Sequence, residues 1–272
     1  MRRWAAFNAV CDYLRAGLVG GASSGADREA AWEDLVALSS EHFVTPALAW
    51  CVRQDRSLPD DVGEYLDAVL RLNSERNALL LVTLKRVAAL LNAIDIEPVV
   101  LKGATELISG SCPAAGMRVI GDLDLLIPID RVQSAAAALK KAGFAPVGPP
   151  LPPNHHHPPV LADPETAAGV ELHMTVVHNR GEVLMPRTWF METTIPSMLD
   201  GAHIRLLDAT RSVAHTIIHD QLDHEGYARN RLELRRLLDL VVLRSKQESS
   251  IDWSVLDRRF CGRISVAFSP PF

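Results

Sequence analysis

The chain has 272 residues, of which 48% are hydrophobic and 22% charged, with a formal net charge of -5. That length holds one large core or two modest domains, and the acidic balance gives no general electrostatic case for nucleic-acid or membrane binding. The cysteines, Cys11, Cys51, Cys112 and Cys261, form no CxxC pair. This speaks against a disulfide framework or a zinc ribbon and fits reduced thiols in a cytoplasmic protein.

Residues 1–95 read as helical. WAAFNAVCDYLRAGL, DREAAWEDLVALSSEHF and the run from Val62 to Ile94 all repeat apolar residues at three-to-four spacing. GLVGGASSGAD, between the first two, is a loop by composition. Asp12 and Arg15 interrupt the apolar N-terminal segment too early for a signal peptide. The most apolar stretch, ALLLVTLKRVAALLNAI, carries Lys85 and Arg86 at its middle, so it is expected to be a packed helix and not a membrane span.

The pattern changes after Glu97. EPVVLKG is a short β-branched run that ends in glycine, a strand followed by a turn, and ATELISG is a short helix. A strand is expected after Gly121 in MRVIGDLDLLIPI. IDRVQSAAAALKKAGF is an amphipathic helix with Asp130 as its expected N-cap and Gly143 just past its end. FAPVG is a further strand, GPPLPPNHHHPP a rigid proline-rich loop, and PVLADPETAAGVELHMTVV a hairpin whose second strand is GVELHMTV. From Met185 onward helices are expected again, clearest in DATRSVAHTIIHDQL and RNRLELRRLLDLVVLRS. The expected divisions are a helical region over 1–95, a mixed α/β core over 96–200 and a second helical region over 201–272.

The chemistry concentrates in the core. Residues i and i+2 of a strand share a face, so Asp122 and Asp124 lie side by side while Leu123 and Leu125 point into a core. Glu171 and His173 repeat the arrangement, with Val170, Leu172 and Met174 opposite. If the two strands are neighbours, Asp122, Asp124 and Glu171 converge, and such carboxylates repel strongly unless cations bind there. Hard divalent ions with oxygen ligands, Mg²⁺ or Mn²⁺, suit that set. A pair of them about 4 Å apart is the usual clamp for in-line displacement at phosphorus. At the strand-to-helix turn, Gly103 lets backbone N–H groups approach an anion, and Lys102 and Arg118 supply positive groups suited to phosphate oxygens. A purely structural alternative has Asp122 capping a turn, Asp124 paired with Arg118 and Glu171 exposed.

LKG, Arg118, GDLDLL, the helix ending AGF, and VELH together resemble the DNA polymerase β-like nucleotidyltransferase superfamily, in its little-characterised bacterial branch with a KG…R…D-x-D…E-x-H pattern. The similarity spans roughly residues 40–245 and is strongest from Val99 to Phe144. The resemblance implies an α+β fold: a small mixed β-sheet nucleotidyltransferase core flanked by N-terminal and C-terminal helical regions. It implies transfer of an NMP from an NTP, ATP first among the donors, to an acceptor, with release of pyrophosphate. Asp122, Asp124 and Glu171 would be the catalytic and metal-binding acids. Lys102, Gly103, Arg118 and His173 would bind the nucleotide. Lys102 and Gly103 stand where the superfamily more often has Gly-Ser, so the grip on the phosphates differs in detail. The acceptor stays open among a small molecule, a peptide, a protein and a tRNA. The alternatives are an inactive nucleotide- or partner-binding member of the fold, and a toxin-type enzyme acting on tRNA or protein.

Other histidines read less sharply. His155, His156 and His157 lie in a proline-flanked loop, where a solvated role competes with acceptor or metal binding. His215 and His219 share a helix face but lack the glutamate of a zinc protease, which favours packing or a wall of the acceptor pocket. Arg231, Arg235, Arg236 and Asp239 read mainly as an ion-paired helix face. No Walker or Rossmann glycine motif occurs.

Overall fold

The computed structural model describes residues 2–20, 30–110, 112–148, 157–177, 182 and 184–261. His155, His156 and the segment after Cys261 lie outside the described residues. The chain forms two compact units. One takes the described residues of Met1–Ala78, Gly110–Val119 and Glu233–Lys246; the other takes those of Leu79–Ser109, Ile120–Leu232 and Gln247–Phe272. Each has its own apolar core. No helix of the described residues is long and apolar enough to cross a membrane.

The first unit is helical, as its three-to-four periodicity requires. Its helices α1 (Arg2–Val19), α2 (Trp32–Glu41) and α3 (Thr45–Val52) bury Val10, Leu35, Leu48 and Val52 in one cluster with Met117 and Leu238. The long helix α4 (Asp60–Asn92) opens on Asp60 and Asp61, whose charges suit a helix N-terminus. Asn73 and Asn77 of α4 donate to the carbonyls of Ala115, Gly116 and Arg118, pinning an otherwise irregular loop. Gly116 is required there, because a Cβ would stand 2.5 Å from the Leu70 carbonyl oxygen.

The second unit holds a seven-stranded mixed sheet, so the expected α+β class is observed. Its strands are β1 (Val99–Val100), β2 (Leu123–Leu126), β3 (Ala145–Pro146), β4 (Leu161–Ala162), β5 (Gly169–His173), β6 (Ile195–Leu199) and β7 (Ala202–Leu206). Their order is β3-β4-β5-β2-β1-β7-β6. β2 is central, and all its residues are buried, as the apolar run LDLL demands of a strand covered on both faces. β2 runs parallel to β5 and antiparallel to β1.

Two local expectations are corrected. Helix α6 (Val132–Lys141) follows a 3₁₀ turn over Ile129–Arg131 that begins at Pro128, and neither has a side-chain cap, so Asp130 is not an N-cap. Gly143, with φ of +98°, does end the helix. The stretch after Met185 is also not simply helical: after the short helix α7 (Arg187–Met191), β6 and β7 form an antiparallel hairpin. Asp200 and Gly201 turn it with φ of +50° and +83°, the left-handed pair that a two-residue hairpin loop needs. β7 lies parallel to β1 and extends the sheet. Helices α8 (Ala209–Ile218), α9 (Leu234–Gln247) and α10 (Trp253–Cys261) follow. Asp208 caps α8 by accepting from the Arg211 backbone N–H.

Candidate active site

The site is built by strand register. In the parallel β2–β5 pair, Asp124 stands opposite Glu171 and Leu126 opposite His173. Parallel neighbours in register send their side chains to the same face, so period two places Asp124, Glu171 and His173 together. Asp122, one residue before β2, adds a third carboxyl. Gly169 leaves room beside it, its absent Cβ pointing 3.8 Å from the Asp122 Cβ. The β4–β5 turn that delivers Glu171 is anchored to α4: Asp163 accepts from Thr83 Oγ1 at 2.8 Å and from Arg86 Nη1 at 2.9 Å.

β1 delivers the cation. Its ladder with β2 continues through the Leu101 N–H, which donates to the Asp124 carbonyl. The next residue, Lys102, adopts φ of +54° before helix α5 (Gly103–Ser109) begins. Its Nζ donates to Asp124 Oδ1 at 2.6 Å. His173 Nε2 donates to that same oxygen at 2.7 Å and lies 3.1 Å from Glu171 Oε2. Both carboxylate oxygens are acceptors, so the ring carries its proton at Nε2. His157 joins from the end of the proline-rich loop, with Nε2 3.6 Å from Glu171 Oε2 and its ring centroid 5.3 Å from that of His173.

The charges sort themselves unequally. Burial, and then the charges of Asp124 and Glu171, push the Asp122 carboxyl up to about 7. Burial would raise Asp124 too, but Lys102 and the His173 hydrogen bond prevail and hold it well below the usual carboxylate range. Glu171 is also lowered: burial opposes the charge, and the His173 hydrogen bond outweighs it. Burial disfavours the charged form of His173, yet its bonds to Asp124 and Glu171 raise its pKa. The cluster therefore keeps two carboxylates ionised through Lys102 and His173, while Asp122 lacks enough positive charge.

That deficit is the chemistry a divalent ion repairs. One ligand atom each from Asp124, Glu171 and His173 lie within 4.8 Å of one another. The carboxylate oxygens suit Mg²⁺ or Mn²⁺, and His173 holds them through its Nε2–H.

The structure thus brings together Asp122, Asp124, Glu171, His173 and Lys102, with Gly103 buried at the first position of α5. Arg118 belongs to the helical unit. There it is buried and grips Asp239 bidentately, Nε to Oδ1 at 2.5 Å and Nη2 to Oδ2 at 2.8 Å. Asp124 takes its positive partners from Lys102 and His173 instead. Arg235 lies over the ring of Phe43 in the same helical unit. His215 is buried on α8 with its ring edge against Phe190, in keeping with a packing role. The sequence left His157 open between a solvated role and acceptor or metal binding, and its approach to Glu171 puts it beside the acids.

No protein of curated function is detectably similar to the chain. Among solved structures, the chain is similar to an antigenic nucleotidyltransferase-like protein from Paracoccidioides brasiliensis, at 18% identity and a TM-score of 0.41, over 71% of this chain and 91% of that one. The family described as "Uncharacterised nucleotidyltransferase" matches residues 28–261. The chain belongs to this nucleotidyltransferase family.

Proposed function

We propose that the chain transfers an NMP from an NTP, with ATP the first donor to test, to an acceptor hydroxyl and releases pyrophosphate. The observation that carries this reading is the in-register placement of Asp124 and Glu171, with Asp122 beside them and Lys102 at the adjoining turn. Asp122, Asp124 and Glu171 would hold divalent ions. Bound Mg²⁺ or Mn²⁺ would neutralise the triphosphate and polarise the α-phosphate.

The protein residues supply position and charge. Lys102 supplies a cation for non-reacting phosphate oxygens, at the turn that Gly103 completes. His173 holds the Asp124 and Glu171 carboxylates in place through its Nε2–H. The acceptor oxygen bonds to the α-phosphorus, and the bond to the oxygen bridging the α- and β-phosphates breaks. Glu171, the less buried of the two ionised acids, takes the acceptor's proton. Arg118 stays with Asp239 and serves the helical unit.

One observation favours a second reading, an inactive member of the fold. A lysine already neutralises Asp124, as it would in a site that no longer binds metal. Calorimetry with each NTP, with and without Mg²⁺, separates the two. Mg²⁺-dependent binding that Asp124→Asn abolishes, followed by pyrophosphate release with an acceptor, supports the enzyme. Metal-independent binding, or none, withdraws it.

A further inference from the structure

We propose that Lys102 is a built-in counter-cation of Asp124 that an incoming metal ion must displace, so that metal and nucleotide bind as a coupled pair. The inference rests on the metal-binding reading of Asp124 given above.

Asp124 Oδ1 already accepts from two donors, Lys102 Nζ at 2.6 Å and His173 Nε2 at 2.7 Å. An ion ligated through that oxygen has to take the place of one of them. His173 is poorly suited to leave: its side chain is 2% exposed and its backbone is held in the β2–β5 ladder. Lys102 is suited to leave. Its ammonium rides a flexible four-carbon stem, its side chain is 17% exposed, and it lies outside any strand or helix.

The backbone supplies an independent observation. Lys102 has φ of +54°, a left-handed conformation that glycine adopts freely and a lysine holds only at a cost. The turn thus carries a side chain at a position where no side chain would be easier, and that side chain reaches the buried acid. Such local strain is a recognised mark of functional positions.

Displacement has a thermodynamic consequence. A metal ion binding alone must break the Lys102–Asp124 pair and leave the ammonium partly buried without its acceptor. A triphosphate arriving with the metal offers new acceptors to the same ammonium. Each ligand therefore tightens the other, and reciprocity requires the same factor in both directions. The lysine excludes free divalent ions from the site while admitting the metal–nucleotide complex.

The test is Mn²⁺ binding to the full chain without nucleotide, followed by the electron paramagnetic resonance signal of free Mn²⁺. Wild type is compared with Lys102→Met, Lys102→Gly and Asp124→Asn. Lys102→Gly suits the left-handed backbone and so guards against a folding artefact. Both lysine variants should bind Mn²⁺ at least about tenfold more tightly than wild type, within the usual range of coupling effects. Adding an α,β-methylene NTP analogue should tighten Mn²⁺ binding by wild type and much less by either variant. If the lysine variants bind Mn²⁺ no more tightly while Asp124→Asn abolishes binding, the counter-cation inference is wrong and the metal site stands. If Asp124→Asn leaves Mn²⁺ binding unchanged, both fail.

Discussion

Asp124 and Glu171 face each other across the parallel β2–β5 pair, and one imidazole N–H, that of His173, bridges them at 2.7 and 3.1 Å. The relation makes Asp124 both a proposed metal ligand and the acceptor for two donors, buried His173 and partly buried Lys102. Asp124→Asn should therefore do two separable things. It should weaken Mg²⁺-dependent NTP binding by about a hundredfold or more, the scale of losing one group that stabilises charge in a dry site. It should also lower stability by about 1–3 kcal/mol, because Lys102 and His173 keep only a weaker, neutral acceptor. Calorimetry reads the first and urea unfolding the second. Wild-type NTP binding by this variant would remove the acid from the proposed function.

Asp122 predicts a pH dependence of the metal-free protein. Its carboxyl is raised from 3.8 to about 7, first by burial and then by Asp124 and Glu171. A raised carboxyl stabilises the fold fully below the unfolded pKa and loses that contribution as pH climbs through the folded one. Metal-free wild type should therefore lose stability from Asp122 between about pH 4 and pH 7. Asp122→Asn fixes the uncharged form, so at pH 8 it should be more stable than wild type by on the order of 2 kcal/mol. At pH 4 the two should be nearly equal. Urea titrations in chelator at both pH values check this, and equal stability of the two proteins at pH 8 would refute it. The same variant should bind metal poorly, a case of a site held against stability.

The acids were legible because a strand repeats every second residue. D-x-D and E-x-H with apolar residues between them state which side chains share a face. Which strands are neighbours is not a local property, so convergence of the acids was conditional until β2 and β5 proved adjacent. The Lys102–Asp124 contact spans 22 positions and depends on that same strand order and on a left-handed turn. Arg118 shows the limit from the other side. Arg118 reads as a phosphate ligand, and its ion pair with Asp239, 121 positions away in the same helical unit, left no local sign in the sequence. The β6–β7 hairpin did leave a sign, Asp200-Gly201. Pro196 argues against a central strand but is tolerated here, because β6 is an edge strand.

That hairpin is open to direct test. Gly201 has φ of +83° and follows Asp200 at +50°. Gly201→Val places a β-branched residue in the left-handed region and should cost about 1–3 kcal/mol. β7 pairs with β1, the strand that leads to Lys102, so the loss should reach the sheet and not a loop alone. Hydrogen exchange should show faster exchange at the β7 amides paired with β1, among them that of Arg205, which bonds to the Pro98 carbonyl. An unchanged unfolding midpoint would mean that the turn is not constrained in this way.

Arg118 and Asp239 give the last prediction. Both are buried, and their two bonds form the fork-to-carboxylate arrangement that lysine cannot copy. Breaking a buried pair from one side leaves a charge without its partner, at a cost of about 3–5 kcal/mol. Asp239→Asn should lower stability by an amount near that range, and Arg118→Lys, which keeps the charge but loses the fork, by less. The double variant should lose less than the sum of the two, since both single changes break the same two-bond fork. NTP affinity of the folded fraction should stay close to that of wild type in all three. A loss of NTP binding in Arg118→Lys with stability unchanged would reverse the assignment and return this arginine to the nucleotide.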